Sequence, residues 1–140
     1  MSKRRISTAA LAIAFVAFLI HIIVSANSGE PLIWFDLVKA IPMGDKIGHL
    51  ALFAILTWLL DAGAFRGRRG KLRSICILLS ALTASVLATI EEISQIWITN
   101  RTFDLGDLSA SLIGIALAGL FISRSLNLNL KTPSDVDKGE

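Results

Sequence analysis

The sequence predicts an all-α integral membrane protein, a bundle of four transmembrane helices with both termini in the cytoplasm. Three observations predict it. Of the 140 residues, 54% are hydrophobic and 18% charged, with a mean hydropathy of +0.67; a soluble domain of this size could not hide so much apolar surface. The apolar residues gather in four runs, each close to the ~20 residues a helix needs to cross a bilayer core. The basic residues cluster beside alternate ends of those runs.

The first run, about Ile6 to Val24, follows Lys3, Arg4 and Arg5. This segment also has the form of a signal peptide, with Val24-Ser25-Ala26 as a small-residue cleavage site. Its apolar core is long for a signal, which favours a retained span. Cleavage would leave the other spans in the same orientation.

The second run is about Ile47 to Phe65, and the third about Leu72 to Ile90, extensible to Ile98. Between them lie Arg66, Arg68, Arg69, Lys71 and Arg73. The fourth, about Leu105 to Ile122, is followed by Arg124 and Lys131. The first and third connections are acidic on balance, with Glu30, Asp36 and Asp45 against Lys39 and Lys46, then Glu91, Glu92, Asp104 and Asp107 against Arg101. Positive residues stay inside, so the acidic connections are expected to face out. Helices are the viable reading, because lipid cannot satisfy an open backbone.

Small residues recur every fourth position at Ser80, Ala84 and Ala88, and again at Ala110, Gly114 and Ala118. That spacing lets helices approach closely, here within one bundle. Residues 1–126 are read as the transmembrane domain. Residues 127–140, NLNLKTPSDVDKGE, are expected to be a disordered cytoplasmic tail. Cys76 stands alone in an apolar stretch, so it offers neither an intrachain disulfide nor a thiolate metal motif. The net charge of +3 does not indicate nucleic acid, because the cations sit beside apolar runs. No P-loop, nucleophile elbow or metal motif of diagnostic spacing occurs, and no cofactor or metal is expected.

The polar residues near the span ends converge. Asp45, Lys46 and His49 open the second span, with Asp45 and His49 on one helical face. Glu92 and Gln95 share a face at the end of the third. Arg101, Asp104 and Asp107 lead into the fourth, with Ser111 one turn below Asp107. At ~1.5 Å per residue from Leu72, a ~30 Å span ends near Glu91. His49 and Glu92 are thus at or just below the outer interface, where ionisable groups need partners or a polar cavity. Arg101 is expected to pair with Glu92, Asp104 or Asp107, and His49 to bond any of these. Plainer roles are open too. Asp104 or Asp107 would cap the fourth helix, Lys46 would be an interfacial anchor, Glu91 a solvated neighbour of Glu92, and His21 a tolerated interfacial histidine. Trp34, Trp58 and Trp97 would be belt residues.

Two blocks, DKIGHLALF and EEISQIWITNRTFDLGDLSASLIG, resemble the VanZ-like family of small membrane proteins over roughly Asp45 to Gly119. Ser111 departs from the family, which usually carries Asn there. The resemblance implies a bacterial inner (plasma) membrane protein acting at the cell envelope, and supplies no reaction. The first functional expectation is an outward pocket binding a lipid headgroup, a lipid-linked envelope precursor or a lipophilic antibiotic. In it Arg101, Lys46 and His49 contact the anionic group and the acids hold those cations. The alternative is a membrane-embedded hydrolase or transferase, with His49 or Glu92 as general base and Asp104 and Asp107 able to hold a divalent ion. A transporter is disfavoured by four short spans without repeats.

Overall fold

A computed structural model describes residues 3–28, 37–38, 40–64, 71–99 and 101–130, with side chains described for residues 8–28, 37–38, 40–63, 71–99 and 101–125. It contains four long helices: α1 (Lys3–Ser28), α2 (Gly44–Ala64), α3 (Lys71–Ser94) and α4 (Leu105–Leu130). A single 3₁₀ turn, Gln95–Trp97, follows α3, and no strand occurs among the described residues. All four helices are long and apolar enough to cross a membrane. The chain is a multi-pass membrane protein.

The burial pattern shows why. Ile13, Leu78, Leu82 and Phe121 are each more than 60% exposed, which water would penalise and lipid does not. The span in α1 contains no fully buried residue and packs on α2 alone among the described elements. Ala9 and Ala12 of α1 lie beside Gly63 at the far end of α2, so the two helices run antiparallel. The most extensive packing joins α2 to α4, with α3 against both.

The stripe on α3 is longer than the small-residue spacing implied. Cys76, Ser80, Ala84, Ala88 and Glu92 are all buried, one every fourth residue. Ala84 and Ala88 meet Phe53 and Leu56 of α2 and Ile115 of α4 in the core. On α4 the close approach falls at Gly114, where a Cβ would stand 2.2 Å from the Leu50 carbonyl oxygen. Hydroxyls in this lipid-level core bond back to carbonyls one turn earlier: Thr57 to Phe53 at 2.7 Å, Ser80 to Cys76 at 3.1 Å and Ser111 to Asp107 at 3.0 Å. No buried hydroxyl among these needs a partner on another helix.

Met43, immediately before α2, lies in the left-handed region (φ 58°). Gly44 follows because a Cβ there would collide with the Val38 carbonyl oxygen at 2.0 Å. At the other boundary, α4 runs to Leu130, past the domain end expected at residue 126. The segment NLNL holds no helix breaker, and the first is Pro133. The rest of the expected tail, 131–140, lies outside the described residues, as do the side chains of Lys3, Arg4, Arg5, Arg66, Arg68 and Arg69 and the residue Trp34.

Candidate functional site: a polar cluster at one end of the bundle

The N-termini of α2 and α4 and the C-terminus of α3 meet at one end of the bundle, because α3 is antiparallel to both. The connection after the 3₁₀ turn is short. Ile98 leaves it extended (φ −111°, ψ 117°), and the Arg101 N–H closes a turn onto the Ile98 carbonyl at 3.0 Å. That return sets α4 directly beside the end of α3.

Asp104 is the joint between the three helices. Its carboxylate Oδ1 accepts from the Gly106 N–H at 2.7 Å, which caps α4. Its Oδ2 accepts from the Lys46 ammonium of α2, also at 2.7 Å. Its own N–H donates to Glu92 Oε1 of α3 at 2.7 Å. The capping role and the pairing role, open alternatives in the sequence, are both filled by one residue. The Lys46 hydrogen bond, and then the Gly106 N–H, hold the Asp104 carboxyl below the ordinary 3.8.

Lys46 is more than an interfacial anchor. Its ammonium lies between Asp104 and Asp107, 3.1 Å from Asp107 Oδ1, and 3.4 Å from the exposed Asp45. Gly106 makes the crossing possible: a Cβ there would meet Lys46 Cε at 2.6 Å. Asp45 stays at the rim, and the bond to its neighbour is its contact here.

The deeper layer holds Glu92, Gln95, Ser111 and His49. Glu92, Gln95 and Ser111 are at most 2% exposed. Both Glu92 oxygens are engaged, Oε1 by Asp104 and Oε2 by the Gln95 amide at 3.4 Å. Glu92 thereby ties the end of α3 to the start of α4. His49 stacks on Phe53 at 6.3 Å between ring centroids. Its Nδ1 lies 3.2 Å from Ser111 Oγ and its Nε2 is 3.9 Å from Asp107 Oδ2, too far for a hydrogen bond.

Two expectations are corrected here. Arg101 pairs with Glu91, at 3.4 Å, not with Glu92, Asp104 or Asp107. The turn at Ile98 delivers Arg101 to the side of α3 that carries Glu91, while Lys46 occupies the two aspartates. Glu91 is accordingly no solvated neighbour. Its side chain is 11% exposed, Oε1 accepts from Gln95 at 2.9 Å as well as from Arg101, and Oε2 is buried without a hydrogen-bond partner. His21 is exposed on α1, which does not pack against α3 or α4.

A second charged feature was missed at the sequence level. At the opposite end of the bundle, Arg73 of α3 grips Asp61 of α2 through both guanidinium nitrogens. Asp61 is 4% exposed. The available signal was an acid inside the second apolar run, facing a connection whose arginines were read only as topological markers.

No family model matches the chain, and no solved structure does. It is similar to the uncharacterized protein C11E3.10 of Schizosaccharomyces pombe, 31% identical over 106 residues. The match covers 72% of this chain and 57% of that protein, so the chain spans little more than half the length of the relative it matches. These findings overturn the VanZ-like resemblance. The relative is eukaryotic, and the bacterial, cell-envelope placement rested on that resemblance alone. Several of the matching positions are Asp at helix N-termini and Gly at a helix crossing. Those are choices that capping and packing impose on unrelated membrane bundles.

Proposed function

We propose that the polar end of the bundle seats the headgroup of a membrane lipid, with an acyl chain lying along the α2–α4 seam. The supporting observation is that the same two helices carry both halves of an amphiphile's site. Their N-terminal ends present Lys46, His49, Asp104 and Asp107. Between them lies an apolar groove of about 380 Å³, lined by Ala54, Ile55, Trp58, Leu117, Ala118 and Phe121. Trp58 is nine residues beyond His49 on α2, which sets the groove about 13 Å deeper.

Charge narrows the headgroup. Asp45, Glu91, Glu92, Asp104 and Asp107 are five acids against Lys46 and Arg101. A purely anionic headgroup would meet net repulsion. A zwitterionic one places its phosphate on Lys46 or Arg101 and its amine on the acids. The distribution of basic residues in the sequence further supports both termini on the cytoplasmic side and the polar cluster on the other face.

The test is native mass spectrometry of protein reconstituted in equal phosphatidylethanolamine and phosphatidylglycerol. Retained phosphatidylethanolamine, lost on Asp107→Asn and on the groove-filling Leu117→Trp, supports the reading. No retained lipid, or retention unchanged by both substitutions, sinks it.

A further inference from the structure

We propose that His49, Glu91 and Glu92 form a binding site for a divalent transition-metal ion. Each residue offers one ligand atom, and the three atoms lie within 4.8 Å of one another. The proposal stands whether or not the cluster also receives a lipid.

The histidine is prepared for this role. Ser111 Oγ directs its single proton to the Asp107 carbonyl at 3.0 Å. It can therefore only accept from His49, across the 3.2 Å to Nδ1. The hydrogen-bond network assigns the Nδ1–H tautomer, and the lone pair falls on Nε2, which makes no hydrogen bond. A metal-binding imidazole is held in this way, with its other nitrogen donating to a neighbouring oxygen.

An independent observation comes from Glu91. Its Oε1 collects both available donors, Gln95 and Arg101, while Oε2 is sealed from solvent with none. A buried carboxylate oxygen without a partner is costly. Glu91 is also adjacent in sequence to Glu92, so two carboxylates share one end of a membrane helix with a single guanidinium 3.4 Å from one of them. A divalent ion supplies the missing partner and removes the repulsion. Glu92 keeps coordinating capacity, because each of its oxygens accepts one bond and has a second lone pair.

The other cluster of acids, Asp45, Asp104 and Asp107, is not the site. The Lys46 ammonium already lies 2.7 Å from Asp104 and 3.1 Å from Asp107, and a second cation there would face it directly. One imidazole and two carboxylates suit zinc, iron or manganese rather than a soft monovalent ion. Three protein ligands leave coordination positions open.

The experiment uses the full chain in detergent, stripped with chelator and titrated with zinc chloride alone. Wild type is expected to take up one equivalent, and His49→Ala and Glu91→Gln to lose at least tenfold in affinity. Ser111→Ala, which touches no metal, is expected to weaken binding by about 10- to 100-fold by releasing the tautomer. Cobalt chloride gives a readout on the wild type that needs no variant: visible d–d bands that saturate at one equivalent. No uptake by the wild type, or uptake that His49→Ala and Glu91→Gln both leave unchanged, overturns the assignment.

Discussion

The main-chain N–H of Asp104 donates to Oε1 of Glu92 across 2.7 Å, joining the start of α4 to the end of α3. Glu92 is 1% exposed, so the bond has no water to replace it. A backbone N–H outside a helix that is turned away from water must find its partner in the protein, and Glu92 is that partner.

Glu92→Ala therefore strands the Asp104 N–H and leaves the Gln95 amide only its bond to Glu91. Each orphaned buried donor costs about 1–3 kcal/mol. The expected result is a large fall in the unfolding temperature in detergent. Glu92→Gln, whose amide oxygen still accepts from Asp104, falls less. Equal losses in the two variants would mean the charge, and not the hydrogen bond, is what matters.

The Lys46–Asp104 pair predicts a pH dependence. The Asp104 carboxyl is held below 3.8 chiefly by the Lys46 hydrogen bond and next by the Gly106 N–H. A depressed carboxyl contributes stability that is present above its unfolded value and lost as pH falls through the folded one. Thermal stability should be flat from neutral pH to about 5 and decline below about 4. Asp104→Asn should flatten the acid limb while lowering the plateau. With Asp104 44% exposed, the amplitude is modest and shrinks with added salt.

Two glycines make a matched comparison. At Gly114 a Cβ would lie 2.2 Å from the Leu50 carbonyl oxygen, a backbone atom that cannot swing aside. At Gly48, on the partner helix, it would meet nothing within 4 Å. Gly114→Ala forces α2 and α4 apart and should cost about 1–3 kcal/mol, as overpacking does. Gly48→Ala should leave stability unchanged or raised, since alanine is the better helix former. Detergent unfolding of the pair checks this, and a neutral Gly114→Ala would show that the seam is loose.

The fold was legible because its signals are long. Four apolar runs and a stripe at Ser80, Ala84 and Ala88 each repeat over several turns, and lipid leaves helices as the available answer. Glu91 apart, the membership of the polar cluster was legible for a similar reason: antiparallel neighbours bring the ends of successive spans together. Its wiring was not. Which acid Arg101 meets depends on the turn at Ile98, and that turn is closed by one hydrogen bond, from the Arg101 N–H to the Ile98 carbonyl. Periodicity cannot see it. The Ser111 role was hidden because it acts through the His49 ring, 62 residues away. Asp61 was overlooked because a single acid in an apolar run reads as a boundary blemish until Arg73 is seen against it.

That pair carries the last prediction. Asp61 and Arg73 sit at the end of the bundle opposite the polar cluster, with side chains 5% and 12% exposed. Removing one partner of a buried ion pair costs about 3–5 kcal/mol because the other is left charged and alone. Arg73→Met should therefore be severely destabilised, and Asp61→Leu somewhat less, since an arginine has a long stem with which to reach the headgroups. The double variant should recover most of the loss, because two well-packed apolar groups replace a pair that was costly to desolvate. Since the pair is remote from His49, zinc uptake by the double variant should match wild type. If the double variant is no more stable than Arg73→Met, the pair does more than neutralise itself, and the α2–α3 hairpin depends on its geometry.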